Sequence, residues 1–574
     1  MAATIDRAAI DRVIRRHLAQ LRKPGVLTVR PGFELAGGRF TDRTAIVVTV
    51  DRKRARLPAG ERLPETIDGI PVDVREATAT QRLRRAAPAK HTLVVTHGPH
   101  ELRDRAFPYE RRVRDGKLVT PPKAAPPVSA KSQLAYTPPA GKPLRSATRR
   151  MTIVACASPD AGFTVLAGFL AEVRRSLTIG LYDFTSAGIL AAFDKSMGTG
   201  GKELCLVLDH PAPNPTANQS DEQTVAAIRK ANPKARQAWA LTRPDPFAAK
   251  WIFPMAYHIK VAVRDSSSFW LSSGNWNVSN QPDFAANDPA AGALDTADRD
   301  WHVVVMDEGL ARLYEAYIRH DFQVASAAQA KPAAGARTAV SKALAAHAAL
   351  RRPASASDKA APAAAHMAAS KPSTTSPPFT LDKPRSFTNV AVTVQPVLTP
   401  DRGKRTTMYV DHVLALLQSA RKRIYLQTQY ISAPTRGPAP ADFMCLVDAL
   451  GDAVRRKLDV RLIMSQYENV PNDVEFLHAA GLSGVMRIQQ RVHNKGIVVD
   501  SRAVLVSSQN WSAEGVLQNR DAGLIIHNAA IAQYFEAIFL QDWEERATTR
   551  IASAPAAPLA HPPTSPKRRK ATSR

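Results

Sequence analysis

Two stretches of the chain, 235 residues apart, carry the same polar residues at the same steps. The first reads His258-Ile259-Lys260-Val261-Ala262-Val263-Arg264-Asp265, then six residues, then Ser272-Ser273-Gly274-Asn275-Trp276. The second reads His493-Asn494-Lys495-Gly496-Ile497-Val498-Val499-Asp500, then six residues, then Ser507-Ser508-Gln509-Asn510-Trp511. One His-x-Lys-x4-Asp string is a modest signal; a second copy with the same residues at the same distance downstream is a strong one. Duplication of this kind restricts the chain to two related halves. Side chains alternate across a strand, so the spacing predicts that His258 and Lys260 share one face and Ile259, Val261 and Val263 the other. The same rule pairs Ser273 with Asn275, His493 with Lys495 and Ser508 with Asn510. Two such sets facing each other would surround a phosphate with two ammonium groups, two imidazoles and four neutral hydrogen-bonding groups.

Each copy lies in a block of alternating helix and strand patterns. Leu177 to Ser186 and Arg423 to Ser432 contain buried-strand runs, preceded by helical patterns over Phe163 to Arg175 and Val410 to Arg421. Leu204 to Leu208 and Val460 to Met464 read as further strands. The fold class expected is α/β, with two internally duplicated lobes of mixed sheet flanked by helices. Ahead of them, an amphipathic helix over Ile5 to Leu21 and short strands at Val26 to Val29, Ala45 to Val50 and Ile70 to Val74 suggest a small α/β module. The divisions expected are 1–115 for this basic module, 116–149 for a Pro/Ala/Lys-rich linker and 150–325 for the first lobe. Residues 326–387 then read as a disordered Ala/Pro/Ser/Lys linker, 388–550 as the second lobe and 551–574 as a disordered basic tail ending in Lys567-Arg568-Arg569-Lys570.

Charge gives these divisions a second meaning. The 574 residues hold 78 Lys plus Arg against 51 Asp plus Glu, a net +27 that points to an anionic partner. Residues 1–150 hold 31 basic and 14 acidic residues, 329–385 hold 9 and 2, and 561–574 hold 5 and none. The lobes nearly cancel, with 15 basic and 19 acidic residues over 151–328 and 18 and 16 over 386–560. The surplus therefore belongs to the module, the linker and the tail, which are read as arms for an anionic membrane surface or nucleic acid. Hydrophobic residues make up 44% of the chain, which excludes disorder as a description of the whole. Cys156, Cys205 and Cys445 are too few and too scattered for a disulfide framework or a thiolate metal site, and a reduced cytoplasmic setting is expected. No apolar run reaches the roughly 18 residues of a membrane span, and the charged start has no secretory signal pattern. The expected location is cytoplasmic or peripheral on a membrane, with export by another route left open.

The paired strings resemble the signature of the phospholipase D superfamily, His-x-Lys-x4-Asp-x6-Gly-Ser-x-Asn. The resemblance spans roughly residues 150–325 and 388–548 and departs at the Gly, which is Ser272 and Ser507 here; a Ser fits wherever the backbone does not need positive φ. It implies a two-step phosphodiester reaction through a phosphohistidine, without metal or other cofactor. By the same resemblance, His258 is the nucleophile and His493 the general acid, an assignment that the symmetry of the halves leaves nearly open. Lys260, Lys495, Asn275 and Asn510 would hold the phosphate oxygens, with Ser273 and Ser508 assisting. The acidic residue that orients the catalytic His is Asp521 in the second half and, by pattern, Asp300 in the first, displaced by an insertion that includes Gln281 to Ala293. Asp265 and Asp500 read as structural. Both motifs lie in one chain, so an oligomer is not required.

Other candidates read as ordinary structure. His91, His97 and His100 look like a solvated cluster, His210, His302 and His527 like core or strand-end residues, and Trp251, Trp270 and Trp301 like core packing. The motif does not choose between a phospholipid and a nucleic acid. A nuclease would gain affinity from a basic groove along its lobes, whereas near-neutral lobes with basic appendages fit an enzyme on an anionic lipid surface. A phosphatidyl-hydrolysing enzyme is the leading reading. A nuclease of the same superfamily and an inactive membrane- or nucleic-acid-binding scaffold are the alternatives.

Overall fold

The computed structural model describes residues 7–21, 23–36, 39–54, 57–76, 111–114, 117–119, 136–198, 201–209, 219–240, 256–283, 297–330, 383–432, 440–465, 470–547 and 549–551. His91, His97, His100, His210, Trp251 and most of the expected linker and tail lie outside them.

The N-terminal helix runs over Arg7–Arg16 and is separated at His17 from a last turn, Leu18–Leu21. It covers a sheet of β1 (Val26–Ala36), β2 (Arg39–Val50), β3 (Thr66–Ile67), β4 (Ile70–Glu76), β5 (Arg111–Arg114) and β6 (Lys117–Val119). β5 pairs with β1 and β6 with β5, so this sheet runs past the boundary expected at 115.

The first lobe contributes β7 (Ala147–Ser158), β8 (Ser176–Leu181), β9 (Glu203–Leu208), β10 (Arg236–Trp239), β11 (Lys260–Arg264), β12 (Ser268–Ser272) and β13 (Asp300–Met306). The second contributes β14 (Arg385–Thr399), β15 (Arg423–Thr428), β16 (Asp459–Ser465), β17 (Met486–Gln489), β18 (Lys495–Val499), β19 (Ala503–Ser507), β20 (Asp521–His527) and β21 (Thr549–Ile551). Within each lobe the first-paired strands are parallel and the motif strands antiparallel. The lobes do not form separate sheets. β7 pairs antiparallel with β14, and the described strands join in the order β10-β9-β8-β11-β12-β13-β7-β14-β20-β19-β18-β15-β16-β17-β21. Up to β17 this order reads the same from either end once the duplicated strands are matched.

Alternation explains how the sheet is covered. Val261, Val263, Leu271, Val303 and Val305 face one core shared with Val504, Val506, Leu524 and Ile526 of the other lobe. Helices Glu308–Ala330 and Ala529–Gln541 close that face through residues such as Tyr314, Ile318, Phe535 and Phe539. On the opposite face, Ala262 and Trp270 pack in the first lobe's own core, and Ile497, Val499 and Leu505 in the second's. Trp270 and Trp301 are fully buried and pack in these cores. The N-terminal sheet docks on helix Val470–Ala479: Glu475 sits between Arg30 (2.7 Å) and Arg75 (3.7 Å) and accepts the Phe33 main-chain N–H.

Candidate active site

The motif strands leave the histidines, serines and asparagines just outside the ladder. β11 and β18 begin at Lys260 and Lys495, so His258 and His493 precede the ladder; β12 and β19 end at Ser272 and Ser507, so Ser273 to Asn275 and Ser508 to Asn510 lie in the chain that leaves it. The expected strand faces therefore hold only in part, because here the two lobes capture each other's backbone. His258 N–H donates to Arg520 O (2.6 Å) and His493 N–H to Arg299 O (3.0 Å).

The side chains cross in the same way. His258 Nδ1 lies 2.8 Å from Asp521 Oδ1 and 3.1 Å from the Ser508 carbonyl, both of the second lobe. A carbonyl only accepts, so Nδ1 carries the proton and Nε2 is the ring nitrogen directed away from the carboxylate. His493 Nδ1 lies 3.1 Å from Asp300 Oδ1 of the first lobe. Each acidic residue found by pattern thus lies against the histidine of the opposite half.

All four groups are buried with the motif lysines. Lys260 Nζ donates to His258 O (2.8 Å); Lys495 Nζ donates to His493 O and lies 3.1 Å from His493 Nδ1. Burial pushes the Asp300 carboxyl up to about 7, against the pull of the Lys495 and Lys260 charges and of the Ser273 hydroxyl. Asp521 is likewise pushed up to about 7 by burial, against Lys260, Ser508 and Lys495. Both ammonium groups act on both carboxylates, which makes the two sets one composite site. Asn275 and Asn510, at matched positions in the two motif copies, are buried as well.

Ser273 and Ser508 have partners that spacing does not predict. Ser273 Oγ donates to Asp300 Oδ1 (2.7 Å) and accepts Trp301 N–H (3.0 Å); Ser508 Oγ donates to Asp521 Oδ1 (2.6 Å) and accepts Ala522 N–H (3.1 Å). A hydroxyl has one proton to give, and here it goes to the carboxylate beside the histidine. Ser272 and Ser507, at the signature's Gly position, are absent from the described non-glycine residues with positive φ. Ser272 Oγ is held by His302 Nδ1 (2.6 Å), and His302, between Ser272 and Ser158, is a core residue that burial and the Arg299 charge bring down to about 3.

Asp265 and Asp500 sit in tight turns at φ 54° and 53°. The Asp265 carboxylate accepts the N–H groups of Arg174, Arg175 and Ser176, and that of Asp500 accepts those of Arg421, Lys422 and Arg423. Burial alone would raise these carboxyls, but the three N–H bonds at each hold it below the usual range. They pin the turns that lead into β8 and β15.

One neighbour has no counterpart in the motif. Tyr182, just past β8, packs edge-on against the His258 ring (centroids 4.9 Å apart) with Lys260 Nζ over its face at 5.3 Å. The β8–β11 and β15–β18 registers put Gln429 at the matching place in the second lobe.

Fold and site together define a two-lobed α/β protein in which paired His-x-Lys sets converge on one buried centre. The second lobe matches a phospholipase D-like family: residues 413–543 fit the one described as cardiolipin synthase, PLD-like domain, and the first lobe repeats the motif found there. Among solved structures the chain is similar to the phosphatidylserine synthase of Haemophilus influenzae Rd KW20, at 12% identity with 69% of this chain and 88% of that one covered and a TM-score of 0.42. It is also similar to Nuc, a phospholipase D family member from Salmonella typhimurium, at 21% identity with 28% and 99% covered and a TM-score of 0.23. NucT from Helicobacter pylori aligns at 13% identity, with 27% and 98% covered and a TM-score of 0.23. No curated protein matches the chain.

Proposed function

We propose that the chain is a phospholipase D-type phosphodiesterase that hydrolyses a phosphatidyl substrate through a phosphohistidine. The observation that carries this reading is the crossed pair of His–Asp contacts beside two buried lysines. His258 Nε2 attacks phosphorus and the bond to the leaving alcohol breaks, while protonated His493 gives its proton to the departing oxygen. Water then loses a proton to His493 and attacks the same phosphorus, and the P–N bond breaks to restore His258. Lys260, Lys495, Asn275 and Asn510 stabilise the charge that grows on the non-bridging oxygens. Asp521 and Asp300 keep the rings in the reactive tautomer, and Ser508 and Ser273 hold those carboxylates.

Two facts favour a lipid over a nucleic acid. The lobes are nearly neutral, and the surplus charge lies in segments suited to an anionic surface. The family matched by the second lobe also carries cardiolipin synthase in its description. Among the described residues no helix is long and apolar enough to cross a membrane, so contact with lipid is read as peripheral, through the basic N-terminal module, linker and tail. The test offers wild type and His258→Asn labelled phosphatidylcholine or phosphatidylglycerol vesicles and, in parallel, single- and double-stranded DNA, with and without EDTA. EDTA-resistant head-group release by wild type alone supports the reading. DNA cleavage without lipid turnover points to a nuclease, and no turnover of any phosphodiester to a scaffold.

A further inference from the structure

We infer that Arg299 and Arg520 are the positioning residues of the two reacting histidines, each acting from the opposite lobe through its own main chain. The inference rests on the reading above for the role of the histidines and on geometry for the rest. Arg520 N–H donates to Ala256 O (2.8 Å), and its carbonyl accepts His258 N–H (2.6 Å), so both main-chain groups of Arg520 grip the segment that ends in His258. The next residue is Asp521, which holds the His258 ring. Arg299 does the same for His493: its N–H donates to Arg491 O (2.7 Å), its carbonyl accepts His493 N–H (3.0 Å), and Asp300 follows.

What fixes these backbones is a buried guanidinium. Arg520 forks onto Asp321 (2.9 and 3.3 Å) and reaches Asp401 (2.6 Å) and Thr399 O (3.3 Å), with the Tyr136 and Tyr317 rings against it. Arg299 forks onto Asp542 (2.8 and 3.0 Å) and reaches Asp160 and Ser158 O (2.9 Å). Neither guanidinium is exposed. Asp321 belongs to the first lobe and Asp401 to the second, as Asp160 and Asp542 do for Arg299, so each guanidinium ties both lobes together. Asp321 also accepts the hydroxyl of Tyr257, the residue before His258.

The clamp was duplicated together with the motif. Arg299 and Arg520, Asp300 and Asp521, and Asp321 and Asp542 are all 221 residues apart, and Asp160 and Asp401, like Ser158 and Thr399, are 241 apart. An ion pair that served stability alone could sit anywhere in the core. These two sit one residue from the orienting carboxylate in both halves, where a shift of the backbone moves a histidine and its aspartate at once. The geometry needs a planar fork that reaches two carboxylates and a carbonyl, which a lysine ammonium on a flexible stem does not supply.

The test uses the full chain with 15N-labelled histidine, the ring signals of His258 and His493 being assigned from His258→Asn and His493→Asn. Arg520→Lys is expected to shift or broaden the His258 ring signals and leave those of His493 in place; Arg299→Lys is expected to do the reverse. In steady state each variant should lose about 10- to 100-fold in kcat with KM changed less than about twofold, the signature of reacting groups displaced by a fraction of an ångström. Should Arg520→Lys fail to fold, Asp401→Asn loosens the same clamp, since its amide oxygen still accepts one N–H, and should disturb the same histidine more weakly. Folded variants with both histidine signals unmoved, or with both moved equally by either substitution, would overturn the inference. The ring signals do not depend on turnover, so a wild type that cleaves no phosphodiester would count against the proposed function while the pattern of shifts still decides the clamp.

Discussion

His258 of the first lobe lies with its Nδ1 2.8 Å from Asp521 of the second, and Asp300 of the first lobe meets His493 of the second at 3.1 Å. Neither half therefore contains a complete histidine–carboxylate pair. Because an imidazole needs its partner both to fix the tautomer and to stabilise the protonated ring, Asp521→Asn is expected to lower kcat by about 10²- to 10⁴-fold. Substrate affinity should change little, since the carboxylate lies behind the ring. Steady-state kinetics on a vesicle or soluble phosphodiester substrate checks both.

The same carboxylates set a pH dependence. Asp300 and Asp521 are raised by burial from an ordinary value of 3.8 to about 7. A raised acid binds more protons folded than unfolded, so its contribution to stability is present below about pH 4 and is lost as pH rises to about 7. Activity should run the other way, increasing through about pH 7 as the carboxylates ionise and can hold a histidine cation. A pH–rate profile in parallel with pH-dependent denaturation measures the two trends. In Asp300→Asn/Asp521→Asn the decline of stability over this window should flatten.

Glu475 carries the attachment of the N-terminal module. Its carboxylate is fully buried against Arg30 and Arg75 and takes the Phe33 N–H. In Glu475→Gln the buried Arg30 loses its counter-charge, a change that costs about 3–5 kcal/mol when one partner of a buried pair is removed. Chemical denaturation should report that loss, and limited proteolysis should cut the N-terminal module faster than in wild type.

Gly496 is a glycine for reasons of space. A Cβ built there overlaps the six-membered ring of Trp301, which reaches across from the first lobe. Gly496→Ala should destabilise by about 1–3 kcal/mol through overpacking, and Trp301→Leu in the same chain should recover part of that loss. Thermal unfolding of the two single variants and the double variant gives the coupling directly.

Much of the site was legible because its signals are local. His258, Lys260, Asn275 and their partners stand out through spacing repeated at one offset, and the alternation in Val261-Ala262-Val263 gave the strand. Asp300 was reached by pattern across an insertion. The crossing was not legible, because nothing in a string of residues says that Asp521 faces His258 rather than His493; that follows from the pairing of β7 with β14 and the docking it enforces. For Ser273 and Ser508, spacing gave the location beside the site, but not the hydrogen bonds to Asp300 and Asp521 that the fold supplies. Tyr182 carried no signal, its matching position being Gln429. The arginines did carry one, in the repeated Arg-Asp of Asp298-Arg299-Asp300 and Asn519-Arg520-Asp521, but only the buried carboxylates around them give it meaning.

The central claim is one composite site in which a histidine of each lobe takes a separate step. The most direct measurement is a quench of His493→Asn during reaction with a p-nitrophenyl phosphodiester, whose leaving group needs no general acid, followed by peptide mass analysis under alkaline conditions that preserve phosphohistidine. The account expects an adduct on the peptide containing His258, accumulating because the base for its hydrolysis is missing, and none in His258→Asn. Wild-type turnover with no modified histidine in His493→Asn would contradict it.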